Sequence, residues 1–411
     1  MKNNNPVASW ASIAVAVASA VGIFFIPQYR LWFLAVLLLN IAVSIVFRKS
    51  YHKEALVLCR LLVGALFIFS SFTKGVDPLG TKYKMLDYFA AYHIEWLNGF
   101  AMVLAVLMIL AEFLVGICLV TNVCPHLAVL GGAALMLFFT TTTLFDALYD
   151  VVPDCGCFGT AVKMSNWQTF YKNLVIDAVL LPLILNFKHL KNRLTWRGQL
   201  LIGFVYAALF TGFELYNYRH LPVIDFMAWK VGKQMNEKPD QEQQIYLTFK
   251  NKETGKTQEY RSPDYPWNDS VWMSQWEFVD QRVEGEDSYL GFSALDEEGD
   301  DVTDMILTTK RLMMFTSHDL DNITHDEWEE IAALTAELGK KGYYVVWVTA
   351  TPPDEVERLR ETHPCLEEVY YGDELEIKTI VRFNPGLILL DEGLVVDKWS
   401  AIDFDKVWDR I

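Results

Sequence analysis

Two cysteines one residue apart, in the string Asp154-Cys155-Gly156-Cys157-Phe158-Gly159, are the residues of this sequence best suited to covalent chemistry. A disulfide between them closes a small, strained ring. Strain raises the reduction potential, so such a bond tends to pass its oxidising equivalent on instead of stapling a fold. Gly156 and Gly159 allow the tight backbone that the ring requires. Two plainer readings stay open: reduced thiols that pack, or two ligands of an incomplete metal site. Zinc ordinarily takes four ligands and no further Cys or His lies in this loop, so no metal site is expected. A second set consists of ionisable residues in or beside apolar runs: Glu112, Arg60, Lys74 and Asp177. Such a residue costs at least ~2.5 kcal/mol at the centre of a bilayer and needs a partner or a purpose. Pairing of Glu112 with Arg60 or with a lysine would hold a helix bundle in register; a proton or quinone site is the functional alternative.

The elements that must position these residues are apolar segments. Seven of them, residues 7–26, 31–47, 55–73, 97–120, 126–148, 169–187 and 199–216, approach the ~20 residues that cross ~30 Å of hydrocarbon. A backbone in lipid satisfies its own hydrogen bonds, so each is predicted to be a helix. Lys2 ahead of the first run mimics a signal peptide. That run is too long and the next follows at once, so an uncleaved hairpin over residues 1–50 is expected. Threaded in order, the seven spans put Lys2, the cluster Arg48, Lys49 and Lys53, and the cluster Lys188, Lys191, Arg193 and Arg197 on one side, which is then cytoplasmic, with the N-terminus. The CxC loop and everything after residue 217 face the other side, the periplasm of a two-membrane bacterium; Lys74, Lys82 and Lys84 fall there too. Residues 76–96 are too polar to cross but carry Leu86, Phe89, Ala90 and His93 at helical spacing, which predicts an interfacial helix. Cys59, Cys118 and Cys124 lie toward the inner side, away from the CxC loop, and are expected to pack as small apolar residues.

Charge divides the 411 residues. Up to Asn217 there are 15 Lys and Arg against 10 Asp and Glu, or +5; the remaining 20 against 41 give −21, and together they make the net −16. The acidic tail must face water and repels phosphate, which argues against nucleic-acid binding. Within it, 244–249 and 257–261 read as strands around a turn at Glu253-Thr254-Gly255, 311–316 as a short apolar strand, 327–340 as a helix, 343–349 as a strand and 353–362 as a helix. Residues 387–390 and 395–399 read as a closing hairpin around Asp391-Glu392-Gly393. A βαβ unit followed by a hairpin predicts an α/β sandwich.

Several strings together resemble a known family: Arg60 and Gly64, residues 70–74, Asp77-Pro78-Leu79-Gly80-Thr81-Lys82-Tyr83-Lys84, Glu112-Phe113-Leu114-Val115-Gly116, threonines 140–143, residues 154–159, and Asn166-Trp167-Gln168-Thr169-Phe170-Tyr171-Lys172-Asn173. Over residues 55–187, about a third of the chain, they are similar to the four-helix DoxX-like membrane proteins, in particular the branch of the methylamine-utilisation protein MauE. The resemblance implies a four-helix membrane bundle and a role near thiol or quinone redox chemistry. For the MauE branch it implies help in maturing a disulfide-rich periplasmic dehydrogenase subunit. The hairpin before residue 50, the seventh span at 199–216 and the tail are additions to that pattern.

The tail, residues 217–411, resembles periplasmic thioredoxin-like domains. Leu221-Pro222-Val223-Ile224-Asp225-Phe226 stands where their opening strand would be, and Asn384-Pro385-Gly386 where their proline loop would be, a place that a cis Pro385 fits. Where the redox pair of such domains follows a central strand, the chain reads Ser317-His318-Asp319-Leu320. Without a CxxC the tail is expected to bind or dock, and the lone Cys365 to be structural.

The expected fold is therefore an α-helical polytopic membrane bundle, a DoxX-like four-helix core plus extra spans, followed by a soluble α/β thioredoxin-like domain. Two functions compete. In the first, an inner-membrane protein works in periplasmic thiol redox or protein maturation. Cys155 and Cys157 are its reactive pair, Asp154, Gly156, Phe158, Gly159, Glu112, Arg60 and Lys74 support them, a quinone is the candidate carrier and a periplasmic client protein the candidate partner. In the second, the protein is a non-catalytic scaffold whose tail holds a partner. Membrane lipid surrounds the bundle in both. A transporter is disfavoured, since the spans show no internal repeat and few polar residues at mid-depth.

Overall fold

The computed structural model describes residues 6–46, 51–152, 156–162, 164–192, 194–236, 244–252, 255–261, 266, 270–284 and 292–411. Lys2, Arg48, Lys49, Asp154, Cys155, Arg193 and the turn residues Glu253 and Thr254 lie outside the described residues. The chain forms two compact units, Met1–Phe226 and Met227–Ile411.

The first unit is helical: α1 (Pro6–Phe25), α2 (Arg30–Val46), α3 (Lys53–Val76), α4 (Pro78–Ala91), α5 (Ala101–Thr121), α6 (Pro125–Tyr149), α7 (Asn166–Leu185) and α8 (Trp196–Arg219). Among the described residues five helices are long and apolar enough to cross a membrane: α3, α5 with the 3-10 turn before it, α6, α7 and α8. Ser9–Phe25 and Arg30–Val46 are shorter apolar stretches. The helix expected within residues 76–96 is α4. It starts where Asp77 breaks α3, its carboxylate accepting the Gly80 N–H at 2.9 Å with Pro78 in the first turn, a position that needs no N–H of its own.

The α3–α5 contact sets the geometry of the bundle. A Cβ on Gly64 would meet the Gly116 carbonyl oxygen at 2.8 Å, and one on Gly116 would meet the Ile68 nitrogen at 2.8 Å, so the two helices touch backbone to backbone. Small residues are what allow helices to approach this closely where lipid supplies no hydrophobic drive. α7 begins with a capping box, Ser165 and Gln168 satisfying each other's backbone N–H groups.

The second unit is α/β. Its elements are β1 (Gln244–Asn251), β2 (Thr257–Arg261), α9 (Ser270–Gln275), β3 (Trp276–Glu284), α10 (Thr303–Thr308), β4 (Leu312–Ser317), α11 (His325–Lys340), β5 (Tyr344–Thr349), α12 (Pro353–Arg360), β6 (Val369–Tyr371), α13 (Glu374–Ile380), β7 (Gly386–Asp391) and β8 (Leu394–Ser400). Among the described residues these strands make two sheets. One is antiparallel, β2-β1-β3; the other runs β6-β5-β4-β7-β8, with β4, β5 and β6 parallel and β7 and β8 antiparallel to their neighbours. Every residue of β4 is buried, as a central strand covered on both faces requires. α11 covers one face through Trp328, Ile331, Leu334 and Leu338, a single stripe at helical spacing, and packs with Phe315, Trp347 and Phe404.

Residues 221–226, expected to be an opening strand, form no strand. Pro222 has no N–H to give a ladder. Residues 232–236 take the edge of β8 instead: the N–H groups of Gly232 and Met235 donate to Val395 and Gly393, and Val395 donates back to Lys233.

His363 stacks on Trp328, ring centroids 4.3 Å apart. Burial, helped by the nearby His325, holds its pKa below the ordinary 6.5. Between the two values the unfolded chain binds a proton that the folded chain does not, so stability is lost as pH falls through the interval just below 6.5. His363→Phe keeps the stack, and is expected to flatten this part of the pH–stability curve when the full chain is melted between about pH 5 and about pH 7. An unchanged curve would remove His363 as its cause.

Candidate functional site

The loop after α6 is tied down from both sides. Asn166, at the start of α7, donates to the Asp150 carboxylate at 2.8 Å and to the Val152 carbonyl at 3.0 Å, and Tyr88 of α4 donates to Asp146 at 2.6 Å. Pro153, Asp154 and Cys155 are outside the described residues; the loop resumes at Gly156. Gly156 and Gly159 both have positive φ, +60° and +55°, a left-handed conformation that glycine adopts without strain, and the Gly159 N–H donates to the Gly156 carbonyl at 2.8 Å. A Cβ on Gly159 would lie 3.1 Å from the Thr73 carbonyl oxygen, so the loop backbone rests on the last turn of α3. Phe158 meets Phe69 edge to face at 5.3 Å, and the Lys172 ammonium sits 4.4 Å from the Phe158 ring centroid.

Beneath the loop lies a buried ion pair. Lys74 Nζ is 2.5 Å from Glu112 Oε1, with the glutamate fully buried and the lysine nearly so. Ser70 Oγ lies 2.9 Å from Glu112 Oε2 and 2.9 Å from the carbonyl oxygen of Cys157. Both are acceptors and a hydroxyl has one proton, so Ser70 shares or alternates it between the ion pair and the cysteine loop. The Lys74 ammonium also faces the Phe139 ring at 5.2 Å. Ser70 and Lys74 are four residues apart on α3 and share a helix face, which is the signal that would have singled out Ser70.

Of the two partners expected for Glu112, the structure selects Lys74. Arg60 is not at this site. It donates to Asn122, just beyond the end of α5, because α3 and α5 run antiparallel and Arg60 belongs to the opposite end of α3. Asp177 is also elsewhere, accepting from Thr140 at 2.8 Å across the α6–α7 seam, beside a Thr143–Asn173 bond. Cys59 and Cys118 belong to the apolar core of the bundle, with Cys124 packed against it.

In the second unit Ser317, the last residue of β4, is latched to the loop that holds Asn384 and Pro385. Ser317 Oγ donates to Asn384 Oδ1 at 2.8 Å, the N–H groups of His318 and Asp319 point at the same oxygen, and Asn384 Nδ2 donates to the Asp319 carbonyl at 2.7 Å. The Asn384–Pro385 bond is cis. Burial pushes the Cys365 thiol up to about 11, and a thiol held protonated is a poor nucleophile.

No curated protein matches the chain. Residues 52–186, which carry Ser70, Lys74, Glu112 and the CxC loop, match the family described as methylamine utilisation protein MauE, so this is a multi-pass membrane protein whose central segment is similar to MauE.

Proposed function

We propose that the protein exchanges disulfides with a client protein through Cys155 and Cys157, at the outer end of a DoxX-like core formed by α3, α5, α6 and α7. The observation that carries this reading is the Ser70 bridge, which couples the Cys157 backbone to the buried Lys74–Glu112 pair. The aliphatic stem of Lys84 lies against Gly156 while its ammonium pairs with Asp87 at 3.5 Å, and the Lys172 ammonium caps the Phe158 ring, so two lysines flank the loop. In the exchange a client thiolate attacks the Cys155–Cys157 disulfide, one cysteine leaves as thiolate, and the second client thiol breaks the mixed disulfide. The client gains a disulfide, and the CxC pair gains two electrons and two protons.

Basic residues flanking α7 and α8 support an orientation in which the loop and the second unit face the periplasm of an inner membrane. The unit of β4, α11 and β5, the closing hairpin β7–β8 and the cis Asn384–Pro385 bond support a thioredoxin-like reading of the second unit, which without a CxxC would hold a client. A quinone would accept electrons in the membrane, but the cavity between α1 and α2 does not fit that role. It is lined by Tyr51, at the opposite end of α3 from the loop, about 30 Å away at ~1.5 Å per residue.

Thiol trapping in intact, aerobically grown cells tests the exchange. The wild type is expected to hold Cys155 and Cys157 oxidised; in Cys155→Ser the lone Cys157 thiolate attacks the disulfide of an oxidised client, displaces one client cysteine as thiolate, and is expected to leave a mixed disulfide that reductant releases. Thiols that stay reduced throughout would sink the exchange and leave the scaffold reading, which the missing redox cysteines of the second unit favour.

A further inference from the structure

The hairpin of α1 and α2 precedes the MauE-like segment and carries a feature of its own. Between the two helices lies a partly open cavity of about 430 Å³, in the size range of ligand sites, with valine and leucine walls and a polar corner. Ser12, Asn40, Ser44 and Tyr51 make that corner. Ser12 Oγ donates to Asn40 Oδ1 at 2.9 Å, the hydroxyls of Ser12, Ser44 and Tyr51 lie 2.7–3.1 Å from one another, and Asn40 Nδ2 donates to the Ser12 carbonyl at 3.0 Å.

Ser12 gives its proton to Asn40, one proton bridges Ser44 and Tyr51, and the third hydroxyl proton can rest on Ser12 Oγ or turn to a guest. With the second Asn40 N–H, the corner can thus offer donors to an acceptor such as a carbonyl oxygen. Among the described residues no charged side chain lines the cavity, but Lys53 begins α3 two residues after Tyr51 and is exposed. Depth matters as well. Ser44 and Asn40 lie two and six residues before the end of α2, roughly 3–9 Å in at ~1.5 Å per residue, comparable with the ~5–8 Å thickness of a membrane interface. Leu39, on the wall, is 64% exposed and would face lipid.

We infer that this cavity binds one anionic phospholipid: an acyl chain along the valine and leucine wall, an ester carbonyl on the Ser44–Tyr51–Asn40 donors, and the phosphate toward Lys53. The apolar walls suit a chain, the donors of the polar corner suit an ester, and the exposed lysine two residues beyond Tyr51 suits a phosphate. This site is independent of the cysteine loop.

Native mass spectrometry of the full chain in mild detergent, titrated with phosphatidylglycerol and with phosphatidylethanolamine, tests the inference. One tightly held phospholipid per chain is expected, with phosphatidylglycerol preferred. Val43→Trp fills the cavity and should lower occupancy at least about tenfold; Tyr51→Phe, which removes a donor but little volume, about fivefold. Lys53→Ala should abolish the preference for phosphatidylglycerol and leave phosphatidylethanolamine binding unchanged. Melting of each lipid-free variant reports whether it folds. No retained lipid, retention undiminished in Tyr51→Phe and a folded Val43→Trp, or a retained quinone in place of phospholipid would each overturn the site.

Discussion

Replacing Glu112 by alanine is expected to destabilise the membrane unit by about 3–5 kcal/mol, whereas replacing Lys74 and Glu112 together by methionine and leucine should cost within about 2 kcal/mol. The single change leaves an ammonium buried beside α5 without its carboxylate, and the desolvation of that charge is no longer offset. The double change removes both charges and refills the space with side chains of similar size. Thermal unfolding in detergent gives both values, and Lys74→Met completes a double-mutant cycle that isolates the coupling. If Glu112→Ala melts with the wild type, the pair does not hold the bundle. The double variant has a second use, because it folds without the ion pair while Ser70 keeps the Cys157 carbonyl as its acceptor. Oxidation of the CxC pair at wild-type level in that variant would make Lys74 and Glu112 a register device. Loss of oxidation in a folded double variant would make them positioning residues for the loop.

The sequence made the existence of this pair legible but not its identity. A glutamate inside an apolar run demands a partner, and Arg60 and Lys74 both stood on the neighbouring span. They are 14 residues apart, about 21 Å along a helix at ~1.5 Å per residue, so only one can reach Glu112. Which one depends on how far α3 is slid along α5, and the Gly64–Gly116 contact sets that offset in three dimensions. The same distinction runs through the second unit. β4, α11, β5 and the closing hairpin were readable because each carries its own periodicity and turn residues. β6 is three residues long and exists as a strand only because β5 offers it an edge. β3 mixes charged and apolar residues without strict alternation and becomes a strand by pairing with β1. Residues 221–226 failed the other way: an apolar string that looked like a strand has no ladder to join, since residues 232–236 occupy the β8 edge.

The close approach of α3 and α5 leads to the second large effect. Gly116→Val is expected to destabilise the bundle by at least about 3 kcal/mol, at or above the upper end for overpacking. Its Cβ would lie 2.8 Å from the Ile68 nitrogen and 2.9 Å from the Gly64 carbonyl oxygen. Both are backbone atoms, so no side chain can swing aside and α5 itself must move away from α3. Glu112 lies one turn from Gly116, and the same movement would pull its carboxylate from Lys74 and Ser70. Stability and the support of the cysteine loop should therefore fall together in this variant. Gly212→Ala on α8 is the control, since a Cβ there meets nothing within 4 Å; it should be neutral or stabilising by up to about 1 kcal/mol. Melting temperatures of both proteins in the same detergent decide the matter. A Gly116→Val protein that melts with the wild type would mean that the helices are not held at backbone contact, and the register that brings Lys74 to Glu112 would need another cause.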